Sequence, residues 1–158
     1  MMNARIIIRP ALPEDAPVIM NFQLKMALES ENLNLNPQIL EPGVMAVFAD
    51  PSKGKYYVAE YENKVVASLM TTFEWSDWRN RLIIWLQSVY VMPEYRKAGV
   101  FRKMYEYIQN LVNQSDEYGG VRLYVDQGNN KAISVYQSVG MNGAHYTTFE
   151  WMKDNPAI

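Results

Sequence analysis

Apolar residues change their spacing several times along this chain, and the changes mark out its elements. Arg5-Ile6-Ile7-Ile8-Arg9 is a short β-rich run that ends at Pro10. Pro13, Glu14 and Asp15 open a helix, with proline and acids where a helix start favours them. That helix is expected to run to about Glu29, and residues 32–36 read as loop. A second helix is expected over residues 37–49, interrupted by Pro42-Gly43, and residues 50–54 form a turn. Residues 56–61 and 65–75, joined by Glu62-Asn63-Lys64, predict a β-hairpin.

Residues 82–91 are apolar at both parities, with Ile83, Trp85, Val89 and Val91 on one side and Leu82, Ile84 and Leu86 on the other. A strand buried on both faces belongs in the middle of a covered sheet. Pro93 ends it, and after Gly99 the period changes. Phe101, Met104, Tyr105, Ile108, Leu111 and Val112 recur at three- and four-residue steps, one face of a helix. Gly119-Gly120 stops that element, and residues 121–126 form another strand. Ala132, Val135, Tyr136 and Val139 return to helical spacing, with Gly140 placed as a C-terminal cap. A last strand is expected over residues 144–153. The order β-α-α-β-β-β-α-β-α-β describes one α/β domain over residues 1–158, with a mixed sheet flanked by helices.

Composition narrows the chemistry. The 158 residues include no cysteine, which excludes disulfides, thiol nucleophiles and thiolate metal sites. Fifteen basic residues against seventeen acidic ones, with no basic run, leave out the footprint of a nucleic-acid binder. The N-terminal residues lack the apolar stretch and cleavage site of a signal peptide, and no run of about 18 apolar residues exists to span a bilayer. These features lead us to expect a soluble, cytoplasmic protein without nucleic-acid or membrane partners. His145, the only histidine, has no neighbours of metal-ligand type and reads as structural; no metal is expected.

The segment from Val89 to Arg102 is a central strand, a short basic loop with one glycine, and a helix start. The first turn of a helix carries four amides without intrahelical partners, backed by the positive end of the dipole. Phosphate oxygens can accept those amides where glycine lets the chain turn tightly. Arg96, Lys97, Arg102 and Lys103 put cations at the dipole's positive end, an arrangement that makes sense when an anion sits there. From spacing alone, a basic loop leading into an amphipathic helix is an equal reading.

Two motifs in order decide between them. Val91-Met92-Pro93 followed by Arg96-Lys97-Ala98-Gly99-Val100 resembles the acetyl-CoA diphosphate loop of the GNAT superfamily of N-acetyltransferases, an Arg or Gln, two residues, Gly, one residue, then Gly or Ala after a strand ending V-x-P. Asn129-Asn130-Lys131-Ala132-Ile133-Ser134-Val135-Tyr136-Gln137-Ser138-Val139-Gly140-Met141 resembles that family's N-x-x-A-x-x-x-Y-x-x-x-G-[FM]. The resemblance covers nearly the whole chain. It implies an acyl-CoA N-acyltransferase fold with a central sheet of six to seven strands, and acetyl-CoA as cofactor. Phe101 stands where the family has Gly or Ala; its place on the helical apolar stripe predicts a ring in the core and an amide still facing the loop.

Moving an acetyl group from a thioester to an amine needs a neutral amine, a stabilised oxyanion, and a proton for the departing thiolate. The resemblance marks Tyr136 as the proton donor, and a phenol with pKa about 10 suits the task. Tyr136 also lies on its helix's apolar stripe, where a core tyrosine is the alternative reading. The resemblance further implies that the backbone of Val89, Tyr90 and Val91 pairs with the pantetheine arm and that Asn129 contacts it. With Lys131 at the same helix start, the cofactor set is Val89, Tyr90, Val91, Arg96, Lys97, Ala98, Gly99, Val100, Phe101, Arg102, Asn129, Lys131 and Tyr136. Many relatives carry Glu four residues before the Val of V-x-P; Gln87 stands there and can orient an acceptor or a water but not take a proton. Glu74 is the neighbouring carboxylate, although its parity with Trp75 points it away.

For the acceptor, Glu29 and Glu31 bring acids, and Trp75 and Trp85 aromatic surface, a pairing that suits a cationic amine. The acids read equally as a solvated helix end, and the tryptophans as core or a dimer contact. Three functions are therefore carried forward: an acetyltransferase for a small-molecule or peptide amine, a CoA-dependent sensor without efficient turnover, and an acetyltransferase for protein N-termini or lysines. Family resemblance favours a homodimer.

Overall fold

The computed structural model describes residues 5–153. Its elements are β1 (Ile7–Pro10), α1 (Ala16–Glu31), α2 (Pro37–Ala49), β2 (Lys55–Tyr61), β3 (Lys64–Ser76), β4 (Arg81–Val91), α3 (Val100–Asn113), β5 (Tyr118–Leu123) and α4 (Asn130–Ser138). Single 3-10 turns stand at Pro13–Asp15 and Pro93–Tyr95. The strands form one sheet in the order β1-β2-β3-β4-β5. The first four are antiparallel and β5 runs parallel to β4. The sheet is mixed and helix-flanked as expected, but among the described residues it has five strands rather than six to seven.

The period-two alternation divides each strand between two cores. Tyr57 and Ala59 of β2 join Leu69, Ile84 and Leu86 under α3, where Val100, Phe101, Met104, Tyr105 and Ile108 close the layer. Tyr56 and Val58 turn the other way, onto Ala16 and Ile19 of α1 and Val44 of α2. Each fully buried side chain of this kind contributes about 1.5–3 kcal/mol. The helical stripe read on α3 is thus a real core face, and the Phe101 ring, 8% exposed, is part of it.

Two strand expectations are corrected. The fifth strand begins at Tyr118, so Gly119-Gly120 lies within it instead of stopping the element. A Cβ at Gly119 would come within 3.2 Å of Arg81 Cβ and Ile83 Cδ1, so glycine is what lets β5 lie against β4. Residues 144–153 form no strand: they run without ladder partners, exposed, beyond α4. Among the described residues no helix is long and apolar enough to cross a membrane.

Candidate active site

Strand β4 carries a bulge that organises the site. Opposite β3 its register runs from Ser76↔Arg81 to Met70↔Gln87, then breaks, and resumes at Ser68↔Tyr90. Ser88 sits in the break with φ +53°. The extra residue reverses the alternation. Val89 and Val91 therefore pack toward the α3 core, not on the side of Ile83 and Trp85 as the simple parity count has it. Gln87 and Tyr90, of opposite parity, come to share the α1 face. The buried Gln23 of α1 reaches the bulge, its Nε2 3.5 Å from the Ser88 carbonyl.

Pairing between β4 and β5 stops at Leu86↔Leu123, while β4 continues to Val91. The strands part there, leaving the β5-facing backbone edge of Gln87–Val91 without a strand partner. This split leads to the basic loop.

In that loop Lys97 has φ +64° and Gly99 φ +76°, left-handed conformations on both sides of Ala98. Gly99 caps α3 without a side-chain hydrogen bond, and the first returning amide is that of Lys103, to the Gly99 carbonyl at 3.1 Å. The six amides from Lys97 to Arg102 thus have no acceptor among the described residues. A Cβ built on Gly99 meets nothing within 4 Å, so it would project into open space beside these amides. Consecutive unpaired amides at a helix start are the donor set a diphosphate requires. The residues present fit the coenzyme's phosphates on this ground.

The side chains are less uniform. Arg96 Nε donates to the Val91 carbonyl at 2.8 Å and its NH2 to Glu29 Oε2 at 2.7 Å, so the guanidinium turns back over β4 instead of toward the amides. Arg102 NH2 donates to the Ser138 carbonyl at 2.9 Å and ties α3 to the end of α4. Lys97 and Lys131 are exposed. Asn129 caps α4, its Oδ1 accepting from the Ala132 amide at 3.1 Å, which leaves its amide donors for another partner. Tyr136 is half-buried, edge-on to Phe101 with ring centroids 5.4 Å apart. Burial pushes its phenol above the ordinary range.

On the α1 face, Gln87 Nε2 donates to Thr72 Oγ1 at 3.1 Å, and Trp85 Nε1 to Glu74 Oε2 at 2.7 Å. Glu74 lies on the face of Gln87 and Trp85, contrary to the parity argument, and Arg122 NH1 donates to both its oxygens at 3.0 Å. The Trp85 indole, and then the Arg122 guanidinium, hold the Glu74 carboxyl below its usual range. Trp75 pairs with Leu82 on the opposite face, so it does not join Trp85. Glu31 is exposed at the end of α1. Sequence reading missed Thr72, Gln23 and Arg122; only Arg122, a charge within an apolar strand, left a local signal.

The sequence pattern of the Acetyltransferase (GNAT) family matches residues 24–141. The chain belongs to this family of acetyl-CoA-dependent acyltransferases. It is similar to a possible acetyltransferase from Clostridium difficile 630, at 41% identity and TM-score 0.86, over 93% of this chain and 97% of that one. Two further structures share the fold. A predicted acetyltransferase with acetyl-CoA from Clostridium acetobutylicum has 17% identity and TM-score 0.71, covering 96% of each chain. An aminoglycoside acetyltransferase, meta-AAC0020, from an uncultured soil metagenomic sample, in complex with sisomicin, has 16% identity and TM-score 0.73, covering 94% of this chain and 97% of its own. No curated protein matches the chain significantly.

Proposed function

We propose that the chain is an N-acetyltransferase acting on a primary amine of a cationic small molecule or peptide, as one domain spanning residues 1–158. The observation that carries this reading is the row of six unpaired amides, Lys97 to Arg102, standing at the mouth of the β4–β5 split with Tyr136 beside it. When bound, the coenzyme supplies an activated acetyl thioester. The amides of Lys97–Arg102 hold its diphosphate, with Lys97 and Lys131 adding positive charge. The edge of Val89–Val91 that lacks a strand partner would pair with its pantetheine arm, helped by the Asn129 amide donors. Gln87, fixed by Thr72, orients the acceptor amine. The amine nitrogen gains the acyl bond as the carbon–sulfur bond breaks. It gives up a proton to water, the Tyr136 phenol passes its own to sulfur, and the phenolate regains a proton from water.

One observation favours a second reading, a coenzyme-binding module without efficient turnover. Gln87 cannot take a proton, and Glu74 is occupied by Trp85 and Arg122. Incubating the protein with acetyl-CoA and a panel of amines, aminoglycosides and peptides included, while following free CoA thiol, separates the two. Amine-dependent thiol release is expected; CoA binding with no release across the panel would leave the binding module.

The homodimer is proposed on separate grounds. Tyr146, Phe149, Trp151 and Met152 are 79%, 92%, 85% and 66% exposed in a segment with the composition of a strand, while β5 is an outer strand of the sheet. Pairing of this segment with β5 of a second copy would cover both. Sedimentation should give a dimer that Trp151→Asp dissociates; a monomeric wild-type protein at micromolar concentration rejects it.

A further inference from the structure

The cation that opens the coenzyme loop is already engaged. Arg96 is anchored through Nε to the Val91 carbonyl and donates through NH2 to Glu29, while its guanidinium lies 5.4 Å from the Tyr90 ring centroid. Tyr90 is 3% exposed, its ring tilted 33° against Phe22, and its hydroxyl donates to Glu29 Oε1 at 3.2 Å. Both Glu29 oxygens are therefore held, one by a buried phenol and one by a half-exposed cation. The Arg96 and Glu29 side chains are each 43% exposed. A pair so open to solvent is worth at most about 1 kcal/mol. The amides of Lys97–Arg102 begin one residue further on. A diphosphate on those amides offers Arg96 a partner with more charge and more acceptor oxygens than one half-solvated carboxylate.

We propose that Glu29 and the coenzyme's diphosphate compete for Arg96, so that coenzyme binding frees the Glu29 carboxylate, at the end of α1, to receive the ammonium of a cationic acceptor. This rests on the coenzyme reading above and deepens it by giving the two substrates an order. The exchange is reciprocal: whatever draws Arg96 from Glu29 favours the acceptor, and a cation that takes Glu29 favours the coenzyme. Glu29 then acts as a specificity-determining residue that is masked until the coenzyme loop is filled.

Calorimetry with CoA on four proteins tests it: wild type, Glu29→Gln, Arg96→Leu and the double variant. Glutamine is nearly isosteric at a half-exposed position, so the fold is kept. Glu29→Gln should bind CoA about three- to fivefold more tightly, because Arg96 has lost its competing partner. In the Arg96→Leu background the same substitution should change affinity by less than about twofold. Unchanged or weaker binding by Glu29→Gln overturns the proposal. An equal gain in both backgrounds also overturns it, because the effect would then be bare charge repulsion. A wild-type protein that takes up no CoA refutes the coenzyme reading itself, and is seen before any variant is compared.

Discussion

Gly99→Asp is expected to weaken CoA binding by roughly a hundredfold or more while leaving the fold intact. The two halves of this expectation have separate causes. Gly99 has φ +76° and ψ 13°, a left-handed conformation that costs an L-residue about 1–2 kcal/mol. Aspartate is among the residues that tolerate it best, and the new Cβ meets no atom within 4 Å. The melting temperature should therefore fall by only a few degrees. The carboxylate, however, would enter the space faced by six unpaired amides. A unit charge about 4 Å from a phosphate costs on the order of 4 kcal/mol at an effective dielectric of about 20. Gly99→Asn separates charge from conformation, because it accepts the same backbone without the charge, and should lose less than about tenfold. Calorimetric titration of CoA into both variants gives the answer. If the aspartate variant binds CoA as wild type does, the diphosphate is not held at this loop.

What the sequence disclosed follows from the range over which each feature is determined. The α3 stripe was legible because helical spacing is local: Met104, Tyr105 and Ile108 announce their own face. The centrality of β4 was legible for the same reason, since burial on both sides leaves both parities apolar. The bulge at Ser88 was not. It is fixed by how β4 registers against Ser68 and Met70, twenty residues earlier, and serine gives no cue that it will adopt a positive φ. Missing it put Val89 and Val91 on the wrong side and hid the shared face of Gln87 and Tyr90. The partner of Arg96 was hidden for a similar reason. Its charge was readable, but its partner lies at Glu29, sixty-seven positions away, where only the packing of α1 over β4 brings the two together. Residues 144–153 show the reverse error: alternating composition favours a strand, yet a strand exists only where another edge accepts its hydrogen bonds.

Tyr136→Phe is expected to lower kcat by about a hundredfold or more, with CoA affinity changed less than about twofold. The substitution keeps the ring, and with it the edge-on contact to Phe101 at 5.4 Å. Burial alone acts on the phenol, with no hydrogen-bond partner among the described residues, so its removal strands no donor or acceptor. Stability should therefore stay within a few tenths of a kcal/mol. A loss of turnover at constant stability and constant coenzyme affinity belongs to the hydroxyl as proton donor. The pH dependence sharpens this. Burial favours the neutral phenol and raises its pKa, so the proton is retained beyond the ordinary value of about 10. Wild-type turnover should keep its acid through pH 10 and lose it only above, whereas the phenylalanine variant should show a low rate with no limb in that range. Equal kcat for the two proteins from pH 7 to 10, in a steady-state thiol-release assay, would make Tyr136 a packing residue and leave the thiolate to take its proton from water.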